Sequence, residues 1–97
     1  MARRPPKKRR EVKSLHSDEY QRFIEMLVER RAAAKLTQQE VADRLGWSQS
    51  LIAKIEKRER RVDLIELLRL ASAIGFDAIR LVRDVRSSMV EHGELPD

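Results

Sequence analysis

Between Gln38 and Lys57 the sequence reads QQEVADRLGWSQSLIAKIEK, and its polar side chains are of kinds that hydrogen-bond rather than react. Wound at about 100° per residue, the part after Ser48 places Leu51, Ile52 and Ile55 within one arc of about 100°. Gln49, Ser50, Ala53, Lys54 and Lys57 fill an opposing arc of about 140°. A helix divided in this way is anchored by three aliphatics and turns amide, hydroxyl, methyl and ammonium groups outward. Such groups can read base edges in the major groove of double-stranded DNA: glutamine pairs bidentately with adenine, lysine donates to guanine, and serine serves either. Any surface helix has a polar side, but here a second short helix and a single glycine precede it at the spacing of a groove-docking unit.

Other chemistry finds little support. His16 and His92 fall outside the apolar helical pattern, cysteine is absent, and no His or carboxylate cluster has metal-ligand spacing. Glu25 and Glu29 share a helical face, which reads as solvated or paired with neighbouring arginines. No glycine-rich loop suggests nucleotide binding. The expectation is a protein that is not an enzyme and holds no cofactor or metal.

The elements that must position the polar arc are all helical in pattern. Ser17 can cap a first helix with Asp18 and Glu19 in its opening turn, and Tyr20, Phe23, Ile24, Leu27 and Val28 recur at helical spacing. Thr37 with Glu40 forms a capping box for a short second helix whose inner side is Val41, Ala42 and Leu45, ended by Gly46. Ser48 caps the third helix. Asp63 with Glu66 caps a fourth, carrying Leu64, Ile65, Leu67, Leu68, Ala71 and Ile74 and closed by Gly75. A fifth begins near Asp77 and carries Ile79, Leu81, Val82 and Val85, before Gly93 and Pro96 release the C-terminus. Five helices without a strand signal predict an all-α domain.

The 97 residues suit one domain of modest core. Their net charge of +5 is unevenly held: residues 1–16 carry seven Lys and Arg against one Glu, and the remainder sums to −1. Arg3, Arg4, Lys7, Lys8, Arg9 and Arg10, around Pro5 and Pro6, read as a disordered basic arm that follows phosphates or enters the minor groove. A solubilising tail and an import signal are the other readings. No apolar run approaches the roughly 20 residues of a membrane span, and the basic start has no apolar segment behind it, so no membrane or export role is expected. The protein is expected in the cytoplasm, with a basic arm over 1–16, a helix-turn-helix domain over 17–89 and a polar tail over 90–97.

Residues from about Phe23 to Asp84 resemble the XRE-type helix-turn-helix family of Cro and the lambda and 434 repressors. The resemblance is carried by TQQEVADRLG, SQSLIAKIE and RRVDLIELLRLASAIGFD. It implies a compact five-helix lambda-repressor-like fold, with Ala42 at the close helix crossing, Gly46 at the turn, and Ile52 and Ile55 inward. It further implies that Gln49, Ser50 and Lys54 contact bases and that Gln38 contacts a phosphate. Ser48 stands at a helix start, where free N–H groups also favour phosphate. Arg31 and Glu56 match a family ion pair that orients the recognition helix. Lys35 and Arg58 stand where many relatives have glycine, which suggests different loop paths. Lys57, Arg58, Arg60 and Arg61 form a basic run beyond the third helix, suited either to phosphates or to a solvated loop paired with Glu59 and Asp63. Trp47 replaces a small or aliphatic residue and reads as packing, or as an indole N–H donor to phosphate.

The function this implies is a sequence-specific transcriptional regulator, a repressor acting as a homodimer on a two-fold symmetric operator, because one recognition helix reads only a few base pairs. The fifth helix, with Ile79, Val82, Val85 and Met89, is the candidate interface, against a purely internal role. Two alternatives remain: an antitoxin-type protein that binds a toxin partner, and a restriction-modification controller. Against the first stands the mostly polar character of the ten residues after Ser87.

Overall fold

Each helix opens on a side chain that takes up a backbone amide left free by the helix start. The computed structural model describes residues 14–96. In it Ser17 precedes α1 (Asp18–Ala33), Thr37 precedes α2 (Gln38–Leu45) and Ser48 precedes α3 (Gln49–Glu56). Asp63 precedes α4 (Leu64–Ile74), and Asp77 precedes α5 (Ala78–Glu91). Two caps are reciprocal. Glu40 N–H donates to Thr37 Oγ1 at 3.0 Å while Thr37 N–H donates to Glu40 Oε1 at 2.8 Å; Glu66 and Asp63 repeat the exchange at 2.7 and 3.1 Å. Among the described residues there is no strand, so the fold is the all-α one that the sequence predicts.

The helix ends share one device. An amide two or three residues past each end reaches back five residues: Leu36 to the Arg31 carbonyl, Trp47 to Ala42, Glu59 to Lys54, Phe76 to Ala71 and Glu94 to Met89, at 2.8–3.2 Å. Each closure needs a left-handed residue in between. Gly46 and Gly75 supply it at φ 69° and 95°, while Lys35 and Arg58 adopt it at 59° and 61°. The different loop paths suggested by the missing glycines are therefore not taken. Both side chains accept a conformation costing roughly 1–2 kcal/mol, held by the backward hydrogen bonds.

The core is built from Ile24 and Leu27 of α1, Val41 and Ala42 of α2, Ile52 and Ile55 of α3, Leu67, Leu70 and Ile74 of α4, and Leu81 of α5. Within it α2 packs on both α3 and α4, and α1 lies against α5 and α3. Of the apolar residues that the sequence gives to α4, Leu64, Ile65 and Leu68 are exposed, as are Ile79 and Val82 of α5. Helix α4 is apolar on nearly every side, so its spacing alone does not choose the buried face.

Both ends of the chain depart from expectation. The arm residues Arg3, Arg4, Lys7, Lys8, Arg9 and Arg10 lie outside the described residues, but Ser14–His16, read as part of the disordered arm, form a 3-10 turn against α1. At the other end α5 runs to Glu91, and Glu94 is drawn back onto Arg22, whose Nε also donates to Ser88 Oγ at 2.7 Å. The C-terminal segment is thus tied to α1.

Relief of strain gives a direct check. Lys35→Gly removes roughly 1–2 kcal/mol of left-handed strain and adds about 0.5–1 kcal/mol of chain entropy to be lost, so urea unfolding should show a gain of about 0.5–1 kcal/mol. A loss of stability would mean that the lysine backbone carries no strain.

Candidate nucleic-acid interface

Ala42 has no exposed surface, and it sits in the core with Ile52 and Ile55 where α2 and α3 meet. A larger side chain there would push the two helices apart. A Cβ on Gly46 would meet no atom within 4 Å, so conformation and not space calls for glycine in the turn. Trp47 is half-buried and packs against the core, which is the packing reading of that residue.

On α3 the two faces separate as the winding predicts. Ile52 and Ile55 are 2% and 1% exposed, Leu51 is half-buried against the core, and Gln49, Ser50, Lys54 and Lys57 are exposed. Ser48 Oγ accepts from Leu51 N–H at 3.1 Å and lies 3.5 Å from Ser50 Oγ. The start of α3 therefore presents hydroxyls beside its free amides.

A run of hydrogen bonds joins this face to α1. Arg31 grips Glu56 with two donors, Nε to Oε2 at 2.6 Å and Nη2 to Oε1 at 2.8 Å, and its Nη1 donates to the Leu36 carbonyl at 2.9 Å. The hydrogen bonds from Glu56 hold the Arg31 guanidinium above its ordinary pKa, partly offset by burial. Gln38 Nε2 then donates to Glu56 Oε1 at 2.8 Å, and Gln49 Nε2 donates to Gln38 Oε1 at 2.7 Å. The structure thus brings together Arg31, Glu56, Gln38 and Gln49. Sequence reasoning singled out all four but saw no link between the two pairs, because the link depends on how α2 crosses α3.

The basic run beyond α3 is less uniform than its sequence. Lys57 and Arg61 are exposed, and the Arg61 guanidinium stands 5.9 Å from the centre of the Tyr20 ring. Arg58 is half-buried, with its Nε enclosed and lacking a hydrogen-bond partner, and it lines an open cleft of about 290 Å³ with Ile24, Glu25, Val28, Glu29 and Glu56. Arg60 is held by Glu66 at 2.8 and 2.7 Å, so the paired partner in this loop is Glu66 and not Glu59 or Asp63. Tyr20 secures the same loop by accepting from Val62 N–H at 3.1 Å, and burial raises its phenol pKa. Nothing in the local spacing announces these contacts, which join residues 6 to 42 positions apart.

Among the described residues no group of three His, Cys, Asp or Glu could hold a metal ion, and no helix is long and apolar enough to cross a membrane. Two short helices crossing at a small residue, the second anchored by aliphatics beneath an exposed polar row, define a helix-turn-helix domain of the DNA-binding class. The Helix-turn-helix family matches residues 27–81. The solved structure of an XRE-family like protein from Pseudomonas syringae pv. tomato str. DC3000 is 39% identical to the chain, with a TM-score of 0.73 over 79% of this chain and 94% of that one. A comparison with curated proteins gives no match. The chain belongs to the XRE-type helix-turn-helix family and is a DNA-binding regulator.

The Arg60–Glu66 contact has a pH signature. Chiefly the Arg60 hydrogen bond holds the Glu66 carboxyl below its ordinary value of 4.5. A carboxylate whose pKa falls on folding contributes stability that is present above the unfolded value and lost as pH drops through the folded one. Acid unfolding monitored by circular dichroism should therefore show part of the stability disappearing below pH 4.5, and less of it in Glu66→Gln, which keeps the cap without the charge. Equal acid sensitivity of the two proteins would contradict this role.

Proposed function

We propose that the protein is a sequence-specific repressor, a homodimer that occupies a two-fold symmetric operator in double-stranded DNA. The observation that carries this reading is the exposed polar row of α3 over its buried aliphatic side. Gln49, Ser50 and Lys54 read base edges from that row. Gln38 and Ser48, at the starts of α2 and α3, meet phosphates where free amides and helix dipoles favour an anion. Lys57 and Arg61 add exposed cations, and Arg58 and Arg60 join them by turning from α1 and from Glu66. The basic arm supplies affinity that does not depend on sequence. The protein acts in the cytoplasm, where it blocks a promoter by occupancy.

The dimer is supported by apolar surface that the monomer leaves uncovered. Leu64, Ile65 and Leu68 of α4 and Ile79 and Val82 of α5 are between 45% and 65% exposed. Val85 packs against the core and Met89 is half-buried, so the interface named from α5 alone becomes one shared with α4.

Selection of bound duplexes from a randomised library at near-physiological salt tests the reading. It should enrich a two-fold symmetric motif with half-sites roughly 10 base pairs apart. Tight binding without a motif would overturn it and favour a partner-directed role, such as toxin binding. On the selected site Gln49→Ala should cost about 1–3 kcal/mol, with little effect on random DNA. Sedimentation should show a dimer that Ile79→Asp shifts to monomer; monomer alone for the unaltered protein at high micromolar concentration would remove the preformed dimer.

A further inference from the structure

Arg60 and Arg61 follow α3 side by side and are held by opposite means. Arg60 is held along its edge: Nη1 donates to the Arg61 carbonyl at 3.0 Å and to Glu66 Oε1 at 2.8 Å, and Nη2 donates to Glu66 Oε2 at 2.7 Å. Arg61 is exposed and is held by its face, with its guanidinium carbon 5.9 Å from the centre of the Tyr20 ring. Stacking on an aromatic face consumes no N–H, so the planar fork of donors stays open to a phosphate. The same side chain fixes the next residue, because Tyr20 Oη accepts from Val62 N–H at 3.1 Å. Tyr20 is itself secured: it packs against the core, Phe23 meets it edge-on with ring centres 5.5 Å apart, and its backbone N–H donates to Ser17 Oγ at 3.2 Å. It stands ahead of the stretch shared with the family, residues 27–81.

We infer that Tyr20 is a positioning residue for the DNA backbone: its ring holds the Arg61 side chain, and its hydroxyl holds the chain at Val62, where the Arg61 guanidinium takes one phosphate. The inference rests on the reading that the outer face of α3 meets DNA, which brings the loop beyond it alongside the sugar-phosphate strand. An arginine loose on an exposed loop loses rotamer freedom when it binds. One already stacked has lost that freedom on folding, so more of the contact is realised as affinity. Phosphate contacts carry no sequence information, and Tyr20 therefore acts on affinity and leaves the choice of bases alone.

Tyr20→Leu removes both holds, whereas Tyr20→Phe keeps the ring and removes the hydroxyl. Tyr20→Leu should weaken binding about fivefold, and Tyr20→Phe about twofold, on selected and random duplexes alike and with the selected motif unchanged. In an Arg61→Ala background neither change should weaken binding further, because both act through Arg61. A full additional loss in that background overturns the inference and leaves Tyr20 a structural role alone. An unchanged affinity in folded Tyr20→Leu overturns it too, as does a loss confined to the selected duplex. If Tyr20→Leu fails to fold, Tyr20→Phe with and without Arg61→Ala decides by the same criteria. NMR of the free protein reads the hold without DNA: the ring current should displace the Arg61 side-chain protons in the unaltered protein and in Tyr20→Phe, but not in Tyr20→Leu. Arg61 signals alike in all three proteins would also overturn it. Failure of the unaltered protein to bind any selected duplex would instead count against the proposed function, with the Arg61 signals still deciding whether Tyr20 holds that side chain.

Discussion

The burial of Ile52 and Ile55 against α2 orients everything that α3 shows to solvent. Each such side chain contributes roughly 1.5–3 kcal/mol by leaving water. Turning α3 by one residue position, about 100°, would expose one of them and drive an amide or ammonium group into the core. The rotation of the helix is therefore fixed by hydrophobic contact, and its outer row follows. The fully buried Ala42 belongs to the same constraint, since it allows the close approach from which that contact is made.

Polar groups refine what the core establishes. The Arg31–Glu56 pair is largely enclosed, and the cost of removing both charges from water offsets much of their attraction. Its value lies in geometry: the pair connects α1 to the end of α3 and passes a defined hydrogen-bond direction to Gln38 on α2. Other arginines connect the frame that surrounds it. Arg30 of α1 reaches Asp84 of α5 at 2.7 Å, and Arg44 of α2 reaches the Ala73 carbonyl of α4 at 2.8 Å. Each pins a pair of helices whose apolar faces already meet.

What the sequence made legible was local. Helix starts depend on one side chain and an amide three residues on, so Ser17, Thr37, Ser48 and Asp63 could be recognised without knowing the fold. The inner and outer sides of α3 were legible for a similar reason, because its apolar and polar residues segregate cleanly. Helix α4 defied the same reasoning: with apolar residues nearly all round, the choice of Leu67, Leu70 and Ile74 over Leu64, Ile65 and Leu68 is made by the helices packed against it. Lys35 and Arg58 show another limit. Glycine marks a left-handed end only where the surrounding bonds do not impose it on another residue. Contacts such as Arg22 with Ser88 and Arg30 with Asp84 span 66 and 54 residues and leave no trace in local spacing.

The central claim is that the outer face of α3, with its bonded glutamines, is the surface that meets DNA. Titrating a selected half-site duplex into isotopically labelled protein, with backbone and side-chain amides followed by NMR, tests it most directly. The account predicts the largest changes at Gln38, Gln49, Ser50 and Lys54, with the buried side of α3 and the outer face of α5 little affected. Changes centred on α4 and α5, with the α3 signals unmoved, would contradict it.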